Sequence, residues 1–180
     1  MRLSRRVLAA VFALFLAAGP AFARPLTEVE SRSLAETVAS FDAAMRASDY
    51  ATVIKTIPPR IMAHIAKSAG IEVTVLPTIV TEQMKAALAQ VKLVSFGMDL
   101  AKAEHHELPN GEPYVLIPTE TVMDAADGKS TARSHTLALL DGGAWYLLRV
   151  SEAPQVSILR QVYPEFAEVE FPASSLEATE

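Results

Sequence analysis

The sequence predicts an α+β domain in which N-terminal helices pack on a curved four-stranded antiparallel sheet, with a C-terminal helix after it. Apolar residues recur at helical spacing through the first half of the chain. In the second half, three turn signals separate segments of alternating apolar residues: Asn110-Gly111, Asp127-Gly128 and Asp141-Gly142-Gly143. Helices followed by a hairpin-connected sheet are typical of the α+β class, because one apolar face of the sheet needs a helical cover.

The first predicted helix begins at a capping box. The side chains of Thr27 and Glu30 are spaced to satisfy each other's free backbone N–H groups at a helix start. Apolar residues then recur at helical spacing as far as Ala47: Leu34, Val38, Phe41 and Met45. One face of this helix is therefore expected to pack inward.

Proline and glycine divide the remaining helical segments. We expect a short helix over residues 50 to 57, a third from Pro59 to Ala69 ended by Gly70, a fourth from Thr78, and a last one after Pro154. Residues 71 to 76 stay ambiguous, because alternating Ile71, Val73 and Val75 fit a strand while Pro77 fits the first turn of the following helix.

Four segments have the alternation of half-buried strands. They contain Phe96, then Val115 and Ile117, then Leu137 and Leu139, and finally residues 145 to 150. Pro118 has no N–H group, so the second strand is expected to be bulged or to lie at an edge there.

Residues 24 to 166 are expected to form a single domain. Residues 167 to 180, which carry acidic but no basic residues, are expected to be an acidic tail.

An export signal is predicted for residues 1 to 23. Three arginines precede an apolar run over residues 7 to 18 that is too short to span a bilayer: Arg2, Arg5 and Arg6. Ala21-Phe22-Ala23 places small residues where a signal peptidase requires them, so cleavage before Arg24 is expected. A retained anchor is the alternative. The export route stays open, because Ser4-Arg5-Arg6 also resembles part of a twin-arginine leader.

Composition excludes several classes of site and partner. There is no cysteine, which excludes disulfides, thiolate metal sites, a cysteine nucleophile and lipid acylation. Three of the 16 basic residues lie in the predicted leader, so 13 remain against 21 acidic residues in a periplasmic or secreted domain of about 157 residues. This acidic balance disfavours nucleic acid and anionic lipid. No cofactor-binding motif is present, and no cofactor is expected.

The order of elements resembles the nuclear-transport-factor-2-like superfamily of cone-shaped α+β domains. The resemblance rests on the end of the first helix, Phe41-Asp42-Ala43-Ala44-Met45-Arg46-Ala47-Ser48-Asp49-Tyr50, on the meander, and on Gly143-Ala144-Trp145-Tyr146-Leu147-Leu148. It spans roughly residues 27 to 151. The resemblance implies a pocket inside the cone but no particular reaction, because members include dehydratases, isomerases, cyclases and domains without known chemistry.

His135 and Glu120 are the candidate catalytic pair. A tight turn at Asp127-Gly128 would place Glu120 opposite His135, and a carboxylate beside an imidazole can act as a base. The alternative is a structural cross-strand pair. His64, on the third helix, is interpreted as a boundary residue.

A metal site is not expected. Glu104-His105-His106-Glu107 offers four donors in a row, but strand alternation sends His105 and His106 to opposite faces. We interpret the segment as a solvated edge.

The leading hypothesis is a non-enzymatic exported domain that binds a small apolar or amphipathic ligand, or a protein partner, in or around the cone. Trp145, Tyr146 and Phe96 are the candidate ligand-binding residues. The rival is a cofactor-free lyase, isomerase or hydrolase that acts through His135 and Glu120. A third alternative is a homodimer formed through the exposed face of the sheet.

Overall fold

The computed structural model describes residues 24–126 and 128–179, so the predicted leader lies outside the described residues. Five α-helices are present in this part of the chain: α1 (Glu28–Arg46), α2 (Tyr50–Lys55), α3 (Pro59–Ala69), α4 (Leu76–Leu88) and α5 (Ala153–Val162). The strands are β1 (Lys92–Met98), β2 (Glu104–Glu107), β3 (Pro113–Ala125), β4 (Gly128–Asp141), β5 (Ala144–Arg149) and β6 (Ser175–Thr179). Short 3₁₀ turns lie at Leu100–Lys102 and Pro164–Phe166.

All six strands belong to one curled antiparallel sheet, so the predicted α+β class is confirmed. Its centre is the long β3–β4 hairpin, which is paired from Tyr114 with Leu139 to Ala125 with Gly128. β1 and β2 share the outer edge of β3, and β5 and β6 share the outer edge of β4. The sheet therefore has six strands rather than the predicted four, because each outer neighbour of the hairpin consists of two short strands.

Pro118 lies where the outer neighbour of β3 changes. β1 ends with Met98 opposite Thr119, and β2 begins with Glu104 opposite Leu116. Between them the chain leaves the sheet, and Asp99 N–H donates to the Pro118 carbonyl at 2.9 Å. β3 continues unbroken through the proline, and the register shift lies in β1 instead, between Leu93 and Ser95. A proline is tolerated here because no residue of β1 or β2 pairs with position 118, so its missing N–H group costs no hydrogen bond between strands.

Helices cover both faces of the sheet. On the concave face, Leu34 and Val38 of α1 pack on Val115, Ile117 and neighbouring residues of β4 and β5. On the convex face, α5 and the turn after it cover one end of the hairpin through a core that includes Leu137, Leu139, Leu159, Tyr163 and Phe166. The outer edge of β5 is closed by the chain between α2 and α3, where Leu147 N–H donates to the Thr56 carbonyl at 2.8 Å.

The start of α1 is tied to the sheet through Glu30. The capping box is formed as predicted, with Thr27 N–H donating to Glu30 Oε2 at 2.8 Å and Glu30 N–H donating to Thr27 Oγ1 at 3.2 Å. Arg24 donates to both carboxylate oxygens of Glu30, at 2.8 and 2.7 Å. Trp145 Nε1–H donates to the Glu30 carbonyl at 3.0 Å. One residue thus joins the helix cap, the chain before it and strand β5.

Several local predictions have clear outcomes. Gly70 ends α3 in the left-handed conformation, with φ of 67°, as predicted. Of the ambiguous residues 71 to 76, those up to Val75 form a bend and a turn rather than a strand, and Leu76 is already the first residue of α4. The predicted acidic tail contains β6, which pairs with residues 129–133 of β4. Among the residues described, there is no helix with the length and apolar character needed to span a membrane.

Replacement of Glu30 is expected to make the free energy of unfolding change less with pH in the acidic range. Hydrogen bonds from Arg24 and Thr27 lower the pKa of Glu30 from 4.5 to about 2. A carboxyl whose pKa is lowered by folding stabilises the fold above its unfolded pKa and loses that contribution as pH falls through its folded pKa. The loss of stability in Glu30→Gln, measured by urea unfolding, should therefore be largest above pH 4.5 and shrink towards pH 2.

Glu28→Gln is the matched control, because it removes a carboxylate from the same helical turn but leaves the Arg24 pair intact. It should cost less stability at neutral pH. Equal losses in the two variants would contradict the assigned role of Glu30.

Candidate functional site

A cavity of about 910 Å³ lies between the concave face of the sheet and helices α1, α2 and α4. Its floor comes from residues of β3 and β4 whose side chains alternate towards this face. Its size falls within the range of roughly 300–1,000 Å³ that is typical of small-molecule sites. The cavity is therefore the candidate functional site.

Apolar side chains form the walls. Phe41 of α1 and Phe96 of β1 meet with ring centroids 5.7 Å apart at one side. Three residues at helical spacing line the opposite wall from α4: Val80, Met84 and Leu88. The N-terminal part of α4 packs into the core through Leu76 and Val80, whereas Met84 and Leu88 stay partly exposed along the cavity.

Hydroxyl groups line the floor. Thr119 and Thr136 are each 7% exposed, and their Oγ1 atoms are 2.8 Å apart. Thr119 Oγ1 also donates to the Ile117 carbonyl at 3.0 Å, so Thr136 is the donor in the bond between the two hydroxyls. Thr121 and Ser134 add two further hydroxyls on the same face. The cavity thus has apolar walls and a weakly polar floor.

The charged residues that line the cavity are all basic: Arg46, Lys92 and Arg149. Within the described part of the chain, no Asp, Glu or His lines it. Arg46 is ion-paired with Asp42 on α1, and Lys92 lies opposite Asp124 in the sheet. Arg149 lies opposite Thr136 and donates from Nε to Ser151 Oγ at 2.5 Å. The local charge of the cavity is therefore opposite in sign to the net charge of −5 of the whole chain.

Gln155 of α5 also lines the cavity. Its Oε1 is shielded from solvent and has no hydrogen-bond partner among the residues described. Buried amide groups are normally hydrogen-bonded, because an unmade bond costs about 1–3 kcal/mol. The side chain therefore adds an amide to the lining of the cavity, and its oxygen has an unmade hydrogen bond.

The expected pairing of Glu120 with His135 is wrong. Glu120 lies opposite Arg133, and His135 lies opposite Pro118. The prediction took Asp127-Gly128 as the two-residue loop, but Gly128 already belongs to β4 and pairs with Ala125, so every partner moves by two residues. Both side chains are on the convex face, and neither lines the cavity.

Glu120 and His135 have separate surroundings there. Glu120 Oε2 accepts from Arg133 Nε at 3.0 Å, and Arg133 also donates to Glu177 of β6 at 2.7 Å. His135 is half-buried, and its Nδ1 has no hydrogen-bond partner in the described residues. The carboxylate is thus held in an ion-pair network rather than beside the imidazole.

The three predicted ligand-binding residues lie in different places. Phe96 lines the cavity. Trp145 is 5% exposed and packs in the core beneath α1. Tyr146 lies opposite Leu139, on the convex face. Sequence reasoning missed the residues of α4 and the threonine pair, because amphipathic helices and polar strand positions of this kind are equally common in folds without a cavity.

The Glu104–Glu107 segment is strand β2, at the outer edge of β3. His106 stacks on Tyr114, with ring centroids 5.0 Å apart, and its Nε2 is 3.5 Å from Glu104 Oε2. His64 is half-buried on α3. Across the residues that the structure describes, no three metal-ligating side chains converge.

Removal of the Thr136 hydroxyl is expected to destabilise the floor. Thr136→Val keeps the shape of the side chain but removes the bond to Thr119, so unfolding free energy should fall by about 1 kcal/mol. Thr121→Val is the matched control, since its hydroxyl makes no hydrogen bond within the described chain. Urea unfolding of both variants tests this, and equal effects would contradict it.

No family model, curated protein or solved structure matches this chain. The curled sheet with helices on its concave face is compatible with the nuclear-transport-factor-2-like architecture, and membership of that superfamily stays a prediction. The functional assignment therefore depends on the geometry of the cavity.

Proposed function

We propose that this chain is an exported, non-enzymatic domain that binds a small apolar or amphipathic ligand in the concave cavity. The observation that carries the proposal is the wall of partly exposed apolar residues around a volume of about 910 Å³. Apolar surface of this kind is stabilised by an apolar ligand, at roughly 25 cal/mol for each Å² removed from water.

The side chains around the cavity favour binding over acid–base catalysis. General acid–base chemistry most often uses His, Asp, Glu or Lys within hydrogen-bond reach of a substrate. The described lining residues include Lys92, which is exposed and lies opposite Asp124, and the phenol of Tyr50, but no His, Asp or Glu that could act with either. The geometry therefore supports a ligand carrier or sensor more than the rival lyase, isomerase or hydrolase.

The contacts of Arg24 support export with cleavage before this residue. Its backbone nitrogen donates to Glu107 Oε2 at 2.7 Å, while its side chain pairs with Glu30. Cleavage would convert this nitrogen from an amide to an α-ammonium, which makes a stronger, charge-assisted bond to a carboxylate. A chain that begins at Arg24 therefore has an N-terminus suited to this position.

Filling the cavity should weaken the binding of an apolar probe. Met84→Trp narrows the cavity from α4, and Ala132→Leu narrows it from the floor. Each should raise the Kd for Nile red by roughly tenfold, equivalent to about 1.4 kcal/mol. Fluorescence titration measures the Kd.

Ala86→Trp is the matched control for Met84→Trp, because Ala86 is exposed on the same helix and does not line the cavity. Its Kd should equal that of the unchanged chain. A Kd for Nile red that stays unchanged in both Met84→Trp and Ala132→Leu would overturn the proposal.

The N-terminal ammonium gives a second prediction. Glu107→Gln should lower the Tm of a chain that begins at Arg24 more than that of a chain that begins at Ala21, because only the first has a charged nitrogen beside Glu107. Thermal unfolding of the four proteins tests this. The same shift in both chain lengths would contradict the role of the ammonium.

A further inference from the structure

We infer that the ligand is an amphiphile with a single anionic head group, bound with that head group beside Arg149 and its apolar chain towards α4 and β1. This inference rests on the proposed function and specifies the class of ligand for the same cavity. Three observations carry it: the charges that line the cavity, the bonding of Arg149, and the position of Gln155.

The first observation is the sign of the charges. Basic residues line the cavity although the chain as a whole is acidic, and no described lining residue has a carboxylate. A cationic ligand would be repelled by Arg149, which has no carboxylate partner among the residues described. An anionic group would meet attraction, and apolar walls strengthen such interactions because they lower the local dielectric.

The second observation separates Arg149 from the other two cations. Arg46 is ion-paired with Asp42. Lys92 of β1 lies opposite the carboxylate-bearing Asp124 of β3, away from Arg149 at the end of β5. Arg149 has no carboxylate within ion-pair distance in the part of the chain that the structure describes, and its Nε bond to Ser151 leaves both terminal amino groups without partners. A guanidinium in this state presents two parallel N–H donors, which match a carboxylate.

The third observation is the orphaned amide of Gln155. It lines the same cavity as Arg149 and has a buried oxygen without a hydrogen-bond partner. Rotation of this amide by a half turn presents its NH₂ group in place of the oxygen. Arg149 and Gln155 then give the cavity an N–H-rich end where β5 stops, away from the apolar residues of α4 and β1.

The rest of the cavity is suited to an alkyl chain. Met84 and Leu88 of α4 and Leu93 and Phe96 of β1 provide flexible or flat apolar surfaces away from the β5 end. Methionine and leucine side chains adapt to linear chains of different length, so this wall selects apolar character rather than one shape. Specificity then comes from the head group at Arg149.

Competition between laurate and dodecanol tests the inference, because the two share one alkyl chain and differ in head group. Each displaces bound Nile red from the unchanged protein and from Arg149→Gln, with dodecylamine as the cationic counterpart. Laurate should bind about fivefold more tightly than dodecanol, the scale of a partly exposed charge-assisted pair, and dodecylamine more weakly than either. Arg149→Gln should remove the preference, and Arg149→Lys should restore part of it.

Arg32→Gln is the matched control, because Arg32 is exposed on α1 and does not line the cavity. It should leave the laurate preference unchanged. Equal affinities for laurate and dodecanol, with Nile red still bound in the cavity, would overturn the head-group inference alone. A protein that binds Nile red nowhere, or binds it regardless of Met84→Trp, would overturn the proposed function and this inference with it.

Discussion

The pairing of β3 with β4 is the constraint on which the rest of the structure depends. Its residues alternate between two faces, so one register determines both the hydroxyl-lined floor of the cavity and the core beneath α5. Because a shift of one residue would exchange the two faces, the register is specified by burial on both sides. The buried residues Ile117 and Leu137, on opposite faces, are each fully covered.

The sequence predicted the elements better than their exact partners. The capping box at Thr27 and the glycine at position 70 are local signals, and each produces its helix boundary without help from the rest of the chain. The turn between β3 and β4 is different, because the Asp127-Gly128 signal indicates a turn but does not determine which residues of the two strands pair. In the structure Gly128, with φ of 117°, is the first residue of β4 and pairs with Ala125. This register places Arg133, and not His135, opposite Glu120.

The cavity could not be derived from the pattern of residues alone. Its lining comes from segments that are distant in the chain, and no motif links Met84 to Thr136 or Arg149. The net charge of the chain is negative, whereas the charged residues that line the cavity are basic. Net charge sums over the whole surface, so it does not predict the charge of one site. β6 was equally hidden: its five residues alternate, with apolar Leu176 and Ala178 between polar neighbours, but acidic residues without a basic one around them favoured a solvated tail.

The division of the outer edge of β4 between two strands has a consequence for biogenesis. β5 follows β4 directly, but β6 comes from the far end of the described chain, so residues 129–133 of β4 lack their outer neighbour until that end has been synthesised. An open edge of this kind can recruit a strand from another molecule. Proteolytic loss of the C-terminus would therefore favour self-association rather than a smaller monomer.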